Sequence, residues 1–232
     1  MPTSKISNIT LIDRNDPAYP ARLLDLYDPP HSLYICGDIE LLNLPMLAIV
    51  GSRAATPEGI KNAHYFARAL SEAGYLVISG LARGIDGAAH WGALGPKQNH
   101  PTLAVCGTGL DIVYPREHLG LAKAIHSCGL LISELAPGMG PKAHHFPRRN
   151  RIIAALSLGI VVIEAAERSG SLITAGLGCE LGREIFAIPG SIQNPLSRGC
   201  HQLLQQGAKL IQSPQDILEE LPRWSKTPFK AC

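Results

Sequence analysis

The densest set of chemically capable side chains is Lys142, His144, His145, Phe146, Arg148, Arg149, Asn150 and Arg151. Cations at this density track phosphates, and a ring among them offers a face on which a nucleobase stacks. The cluster opens an apolar helical pattern, Ile152, Ile153 and Leu156, and is expected to form a basic loop over residues 146–149 that leads into that helix. Positive charge at a helix start opposes the helix dipole, so local electrostatics do not account for it and a ligand does. Downstream, Ser169, Gly170 and Ser171 make a tight small-residue loop before another helix, where backbone N–H groups form a ready anion site. Gly51-Ser52-Arg53 offers the same chemistry at an earlier strand end: close backbone approach, a hydroxyl and a charged fork. Ser79 and Gly80 begin a third loop of this type, SGLARG.

Other chemistries fit less well. Gly51-Ser52-Arg53 does not match the P-loop spacing, and Gly107-Thr108-Gly109-Leu110-Asp111 lacks the third glycine of the dinucleotide fingerprint. Glu164, Glu167 and Glu180 bracket the SGS loop and read as strand-end and helix-face charges before they read as a catalytic pair. Asp86 and His90 are four residues apart and read as a structural pair near a helix start. No carboxylate or cysteine stands at ligand spacing from the histidines, so neither a metal nor a cofactor is expected. The six cysteines include no C-x-x-C pair and read as reduced thiols of a cytoplasmic protein. Residues 1–8 are polar, unlike a signal peptide, and no apolar run approaches the ~18 residues of a membrane span.

Repeated units position these loops. Apolar runs such as MLAIV, YLVIS, LAVC, LLISEL and the run 160–163 read as strands. Each ends in a glycine-bearing loop and feeds a helix, and Thr56 with Pro57 is a clear N-cap and first turn. The alternation predicts an α/β chain with a doubly wound, mostly parallel sheet and helices on both faces. Ligands of such sheets bind beyond the carboxyl ends of the strands, where all these loops fall. Apolar residues make up 46% and charged residues 17%, enough for a sizeable core. The net charge is only +2, so an anionic partner must be drawn by local clusters and backbone dipoles. Residues 1–45 are proline-rich and are expected to pack as an extension on a main domain of residues 46–221, with a tail over 222–232.

Eight ordered motifs together resemble the DprA/Smf family of DNA-processing proteins. They are AIVGSRAATPEG, SGLARGIDGAAH, GTGLDIVYP, SELAPG, FPRRNRIIAALS, the run from Glu164 through SGSLITA, GREIFAIPGS and RGCHQLLQQGA, and the likeness spans about residues 8–221. The resemblance implies an extended Rossmann-like domain, not an enzyme, that binds single-stranded DNA and helps load the RecA recombinase during natural transformation. By motif it implies DNA contacts from Arg53, Lys142, Phe146, Arg149, Asn150, Gly170 and Ser171, with Phe146 against a base. It also implies a homodimer, formed through the helix carrying Leu203 and Leu204. Many family members carry a small helical domain before this region and a winged-helix domain after it, and this sequence is expected to hold neither. The other reading carried by the strand–SGS–helix unit with Glu180 is a nucleotide-binding phosphoribohydrolase-like enzyme, whose P-G-G-x-G-T loop this chain lacks.

Overall fold

A computed structural model describes residues 8–96 and 100–221. Its strands are β1 (Thr10–Asp13), β2 (Ser32–Gly37), β3 (Met46–Val50), β4 (Leu76–Ser79), β5 (Thr102–Val105), β6 (Leu130–Ser133), β7 (Gly159–Val162), β8 (Glu184–Ala187) and β9 (Lys209–Leu210). They form one sheet in the order β1-β2-β6-β5-β4-β3-β7-β8-β9. From β6 to β9 every pairing is parallel. β2 pairs antiparallel with β6, and β1 antiparallel with β2, which extends one edge. The architecture is the doubly wound α/β fold expected from the repeated units.

Alternation along the strands divides the core. Leu47 and Ile49 of β3, Val77 of β4 and Val161 of β7 pack under α1 (Pro57–Glu72) and α2 (Ile85–Leu94). Ala48, Val50, Ile78, Ile160 and Val162 pack on the other face, under α4 (His145–Leu156) and α5 (Gly170–Glu180). Between α2 and α4 lies α3 (Leu119–Cys128), and α6 (Arg198–Gln205) and α7 (Pro214–Glu220) are the last described helices. Burial on both faces explains why the strands read as continuous apolar runs. Leu23 and Leu33, from the proline-rich segment, belong to the same core as α4.

The order of the strands has a consequence for the site. From β3 the chain winds one way to β4, β5 and β6, then returns to β7 on the other side of β3 and continues to β8 and β9. The loops after β3 and β7 therefore diverge to opposite faces and leave a crevice at the carboxyl ends of the strands.

One expectation needs correction. Residues 146–149 are the first turns of α4, not a basic loop before it, because the helix starts at His145. Pro147 sits within the helix because a proline in a first helical turn gives up an N–H that has no intrahelical acceptor there. In α6, Leu203 is buried in this chain's own core and the half-buried Leu204 packs against it. The expected tail over 222–232, including Cys232, lies outside the described residues. Among the described residues, Cys106, Cys179 and Cys200 are free thiols, and no helix is long and apolar enough to cross a membrane.

Candidate nucleic-acid interface

The loop after β3 is stitched into place from both sides. The Ser52 N–H donates to the Glu164 carbonyl at 2.7 Å, and the Ile85 N–H donates to the Ser52 carbonyl at 3.1 Å. Only glycine fits at position 51, where a Cβ would lie 2.6 Å from the Ile85 side chain and 2.8 Å from the Glu164 carbonyl. The Glu164 carboxylate is buried at the start of α1, accepting the Thr56 N–H at 2.9 Å and the Thr56 hydroxyl at 2.5 Å. The positive end of α1 is thereby filled from within. The start of α5 is not. There the Ser169 side chain accepts the Ser171 N–H, and open space surrounds the position a Gly170 Cβ would take.

Arg149 projects from α4 into the crevice and is 6% exposed. Its nearest counter-charge is Asp86, with Nη1 3.9 Å from Oδ2. That carboxylate already accepts the Gly80 N–H at 3.2 Å and the Ala82 N–H at 3.4 Å. Among the described residues, the Nε and Nη1 atoms of Arg149 have no hydrogen-bond partner. Burial pushes the Arg149 guanidinium below its ordinary value and the Asp86 carboxyl above its own. A buried guanidinium with idle donors is costly, and an anion in the crevice would satisfy them. Arg22 and Arg183 hold the far end of α4 by donating to the carbonyls of Leu156 and Ala155 at 3.3 and 3.0 Å.

The crevice has a volume of about 450 Å³ and is lined by Ser52, Arg53, Arg149, Asn150, Gly170 and Ser171, among others. Two further hollows adjoin it, and Arg53 lines all three. The outer one, about 470 Å³, is bordered by Lys142, Phe146, Asn150, Gly170 and Ile173. The Arg53 guanidinium lies 5.3 Å from the centre of the Phe146 ring, a cation–π approach. Asn150 ties the two helices by donating to the Gly170 carbonyl at 3.2 Å. Sequence reasoning did not single out Tyr114. Its ring centre lies 5.5 Å from that of Phe146, tilted 42°, and it lines both flanking hollows. The one signal was an aromatic residue in the GTGLDIVYP loop at a strand end.

Not every expected residue reaches the site. Ser79 is fully buried and donates to the Ile49 carbonyl, so it ties β4 to β3. Gly80 borders one of the flanking hollows and leaves room for the Arg149 guanidinium. The basic cluster is split by helical periodicity. Arg148 and Arg151 turn toward Glu134 and bind its carboxylate at 2.7–3.0 Å. Asp86 and His90 do not pair with each other. His90 Nδ1 lies 2.9 Å from Thr102 Oγ1, and that hydroxyl donates to the Val77 carbonyl, so the imidazole donates from Nδ1. Glu180 closes α5, about 15 Å along the axis from Gly170, and lines none of the three hollows.

The family model for DNA recombination-mediator protein A matches residues 10–222. The chain belongs to the DprA/Smf family. This family member is 48% identical over 205 residues to DNA processing protein DprA of Streptococcus pneumoniae, covering 88% of this chain and 72% of that one. It is 46% identical over 215 residues to protein Smf of Escherichia coli, covering 92% of this chain but 57% of that one. DNA processing protein A of Helicobacter pylori, whose solved structure addresses its unique single-stranded DNA binding mode, superposes with a TM-score of 0.82 at 31% identity. That match covers 91% of this DprA/Smf chain and 94% of the other.

Proposed function

We propose that this chain binds and protects single-stranded DNA without chemical turnover and passes it to the RecA recombinase during natural transformation, as a cytoplasmic homodimer. The observation that carries the reading is the buried, partly unpartnered Arg149 guanidinium facing the open start of α5. A phosphate between them would take charge-assisted hydrogen bonds from Arg149 and the Gly170 N–H, and would share or displace the Ser169 side chain as acceptor of the Ser171 N–H. Arg53 joins this crevice to the outer hollow, where the Phe146 and Tyr114 rings give flat faces to neighbouring bases. Lys142 stands exposed at the outer rim for the next phosphate. Family membership and the single-strand binding of the Helicobacter pylori relative support the same assignment. The position of Glu180, away from the hollows, speaks against a phosphoribohydrolase.

The test is fluorescence anisotropy of a labelled oligothymidylate at two salt concentrations, with duplex competitor. Binding that weakens with salt, resists duplex and is lost in Arg53→Ala supports the proposal. Absence of binding at low salt would overturn it. Stimulation of RecA filament growth on the same oligonucleotide tests the loading step.

A further inference from the structure

A second surface leads away from the crevice. Between α1 and α2 runs an open groove of about 770 Å³, bordered by Ile60, Lys61, His64, Tyr65, Arg68 and Trp91. The helices approach closely because Gly92 has no side chain, and a Cβ there would lie 2.6–3.0 Å from the His64 backbone. Tyr65 and Trp91 are 58% and 41% exposed, which spends two large rings on solvent. Lys61 is exposed beside them, and among the described residues no carboxylate borders the groove, although Glu72 holds Arg68 from one turn away at 2.8 Å. Flat exposed rings set between cations suit a strand whose bases stack while its phosphates face the charges.

Continuity identifies the occupant. α1 begins just after the Arg53 loop, and Ile60 lies only about 5 Å along its axis from Pro57. The groove then continues to Arg68, about 12 Å further. We infer that the α1–α2 groove is a second contact site for the same single-stranded DNA, taking bases on Tyr65 and Trp91 beyond the nucleotides held in the crevice. This rests on the crevice being the primary site. An acidic protein segment is the other anionic partner such a groove could take, but its carboxylates would leave the exposed ring faces without a stacking partner.

The test compares a short oligothymidylate of about 6 nucleotides with one of about 20, within and beyond the size of a single small site. Trp91 emission is followed in a Trp224→Phe background, since these are the two tryptophans. The expected result is quenching by the long strand only. Tyr65→Ala and Lys61→Glu should each weaken the long strand several-fold to about tenfold and leave the short one unchanged. Lys61→Glu covers the case in which loss of Tyr65, packed edge-on against Phe66, unfolds the chain. Unchanged long-strand affinity in Lys61→Glu with silent Trp91 emission overturns the groove and leaves the crevice standing. Quenching by oligoglutamate but not by DNA also overturns it. A chain that binds neither oligonucleotide overturns both assignments.

Discussion

Replacing Gly80 by alanine adds a single methyl group and should disable the site through its neighbour. Gly80 is not among the glycines at positive φ, so the backbone accepts the change. The obstacle is the guanidinium of Arg149. The new Cβ would lie 1.2 Å from its Nη1, 2.2 Å from Cζ and 2.5 Å from Nη2. Ordinary contact is near 3.5 Å, so the guanidinium must retreat by about 2 Å. It cannot then meet a phosphate at the start of α5. Loss of one charge-assisted hydrogen bond, worth about 1.5–3 kcal/mol, should weaken oligothymidylate binding by roughly 10- to 150-fold. The slope of log affinity against log salt should fall by about 0.7 as one phosphate contact disappears. Overpacking should cost about 1–3 kcal/mol of stability in urea, a smaller defect than the one in binding. Anisotropy titrations of wild type, Gly80→Ala, Arg149→Met and the double variant provide the assay. Both changes act on one guanidinium, so the double variant should bind no more weakly than Arg149→Met alone. Wild-type affinity in Gly80→Ala, or losses that simply add, would refute the reasoning.

Other perturbations probe separate parts of the account. Phe146→Ala and Tyr114→Ala should each cost about 1–3 kcal/mol of single-strand affinity and leave the salt slope unchanged, because they remove stacking and not charge. Glu164→Ala strips the acceptor from the Thr56 N–H and hydroxyl. It should lower unfolding free energy by about 2–3 kcal/mol, and phosphate or sulfate should recover part of that loss by occupying the start of α1. His90 is held neutral, its value lowered by burial from 6.5 to about 3. The unfolded chain therefore binds the extra proton first, and the stability His90 contributes is complete above pH 6.5 and drains away as pH falls toward 3. Thermal melts should show a shallower acid-side loss in His90→Asn than in wild type.

The fold was largely legible because both faces of the sheet are covered. MLAIV and its counterparts stand as unbroken apolar runs, and each glycine loop marks where a strand hands over to a helix. The parts of the site that the sequence hid depend on convergence across the chain. Arg149, Gly80 and Asp86 meet from separate loops and helices, and nothing local announces that one glycine makes room for a distant arginine. The basic cluster looked uniform, yet helical geometry sends Arg149 and Asn150 to the crevice and Arg148 and Arg151 to Glu134. The basic stretch 146–149 reads as a loop, yet it forms the first turns of α4, where Pro147 is tolerated because its missing N–H has no acceptor. Tyr114 gains meaning only beside Phe146, which lies far along the sequence.

The central claim is that a DNA phosphate sits between Arg149 and the start of α5. The most direct measurement is a titration of the isotopically labelled chain with oligothymidylate, following the backbone amide signals of Gly170 and Ser171 and the Arg149 Nε–H by NMR. The account predicts saturable shifts at all three, with a single dissociation constant that weakens with salt. Strand binding that shifts other regions and leaves these three signals in place would contradict it.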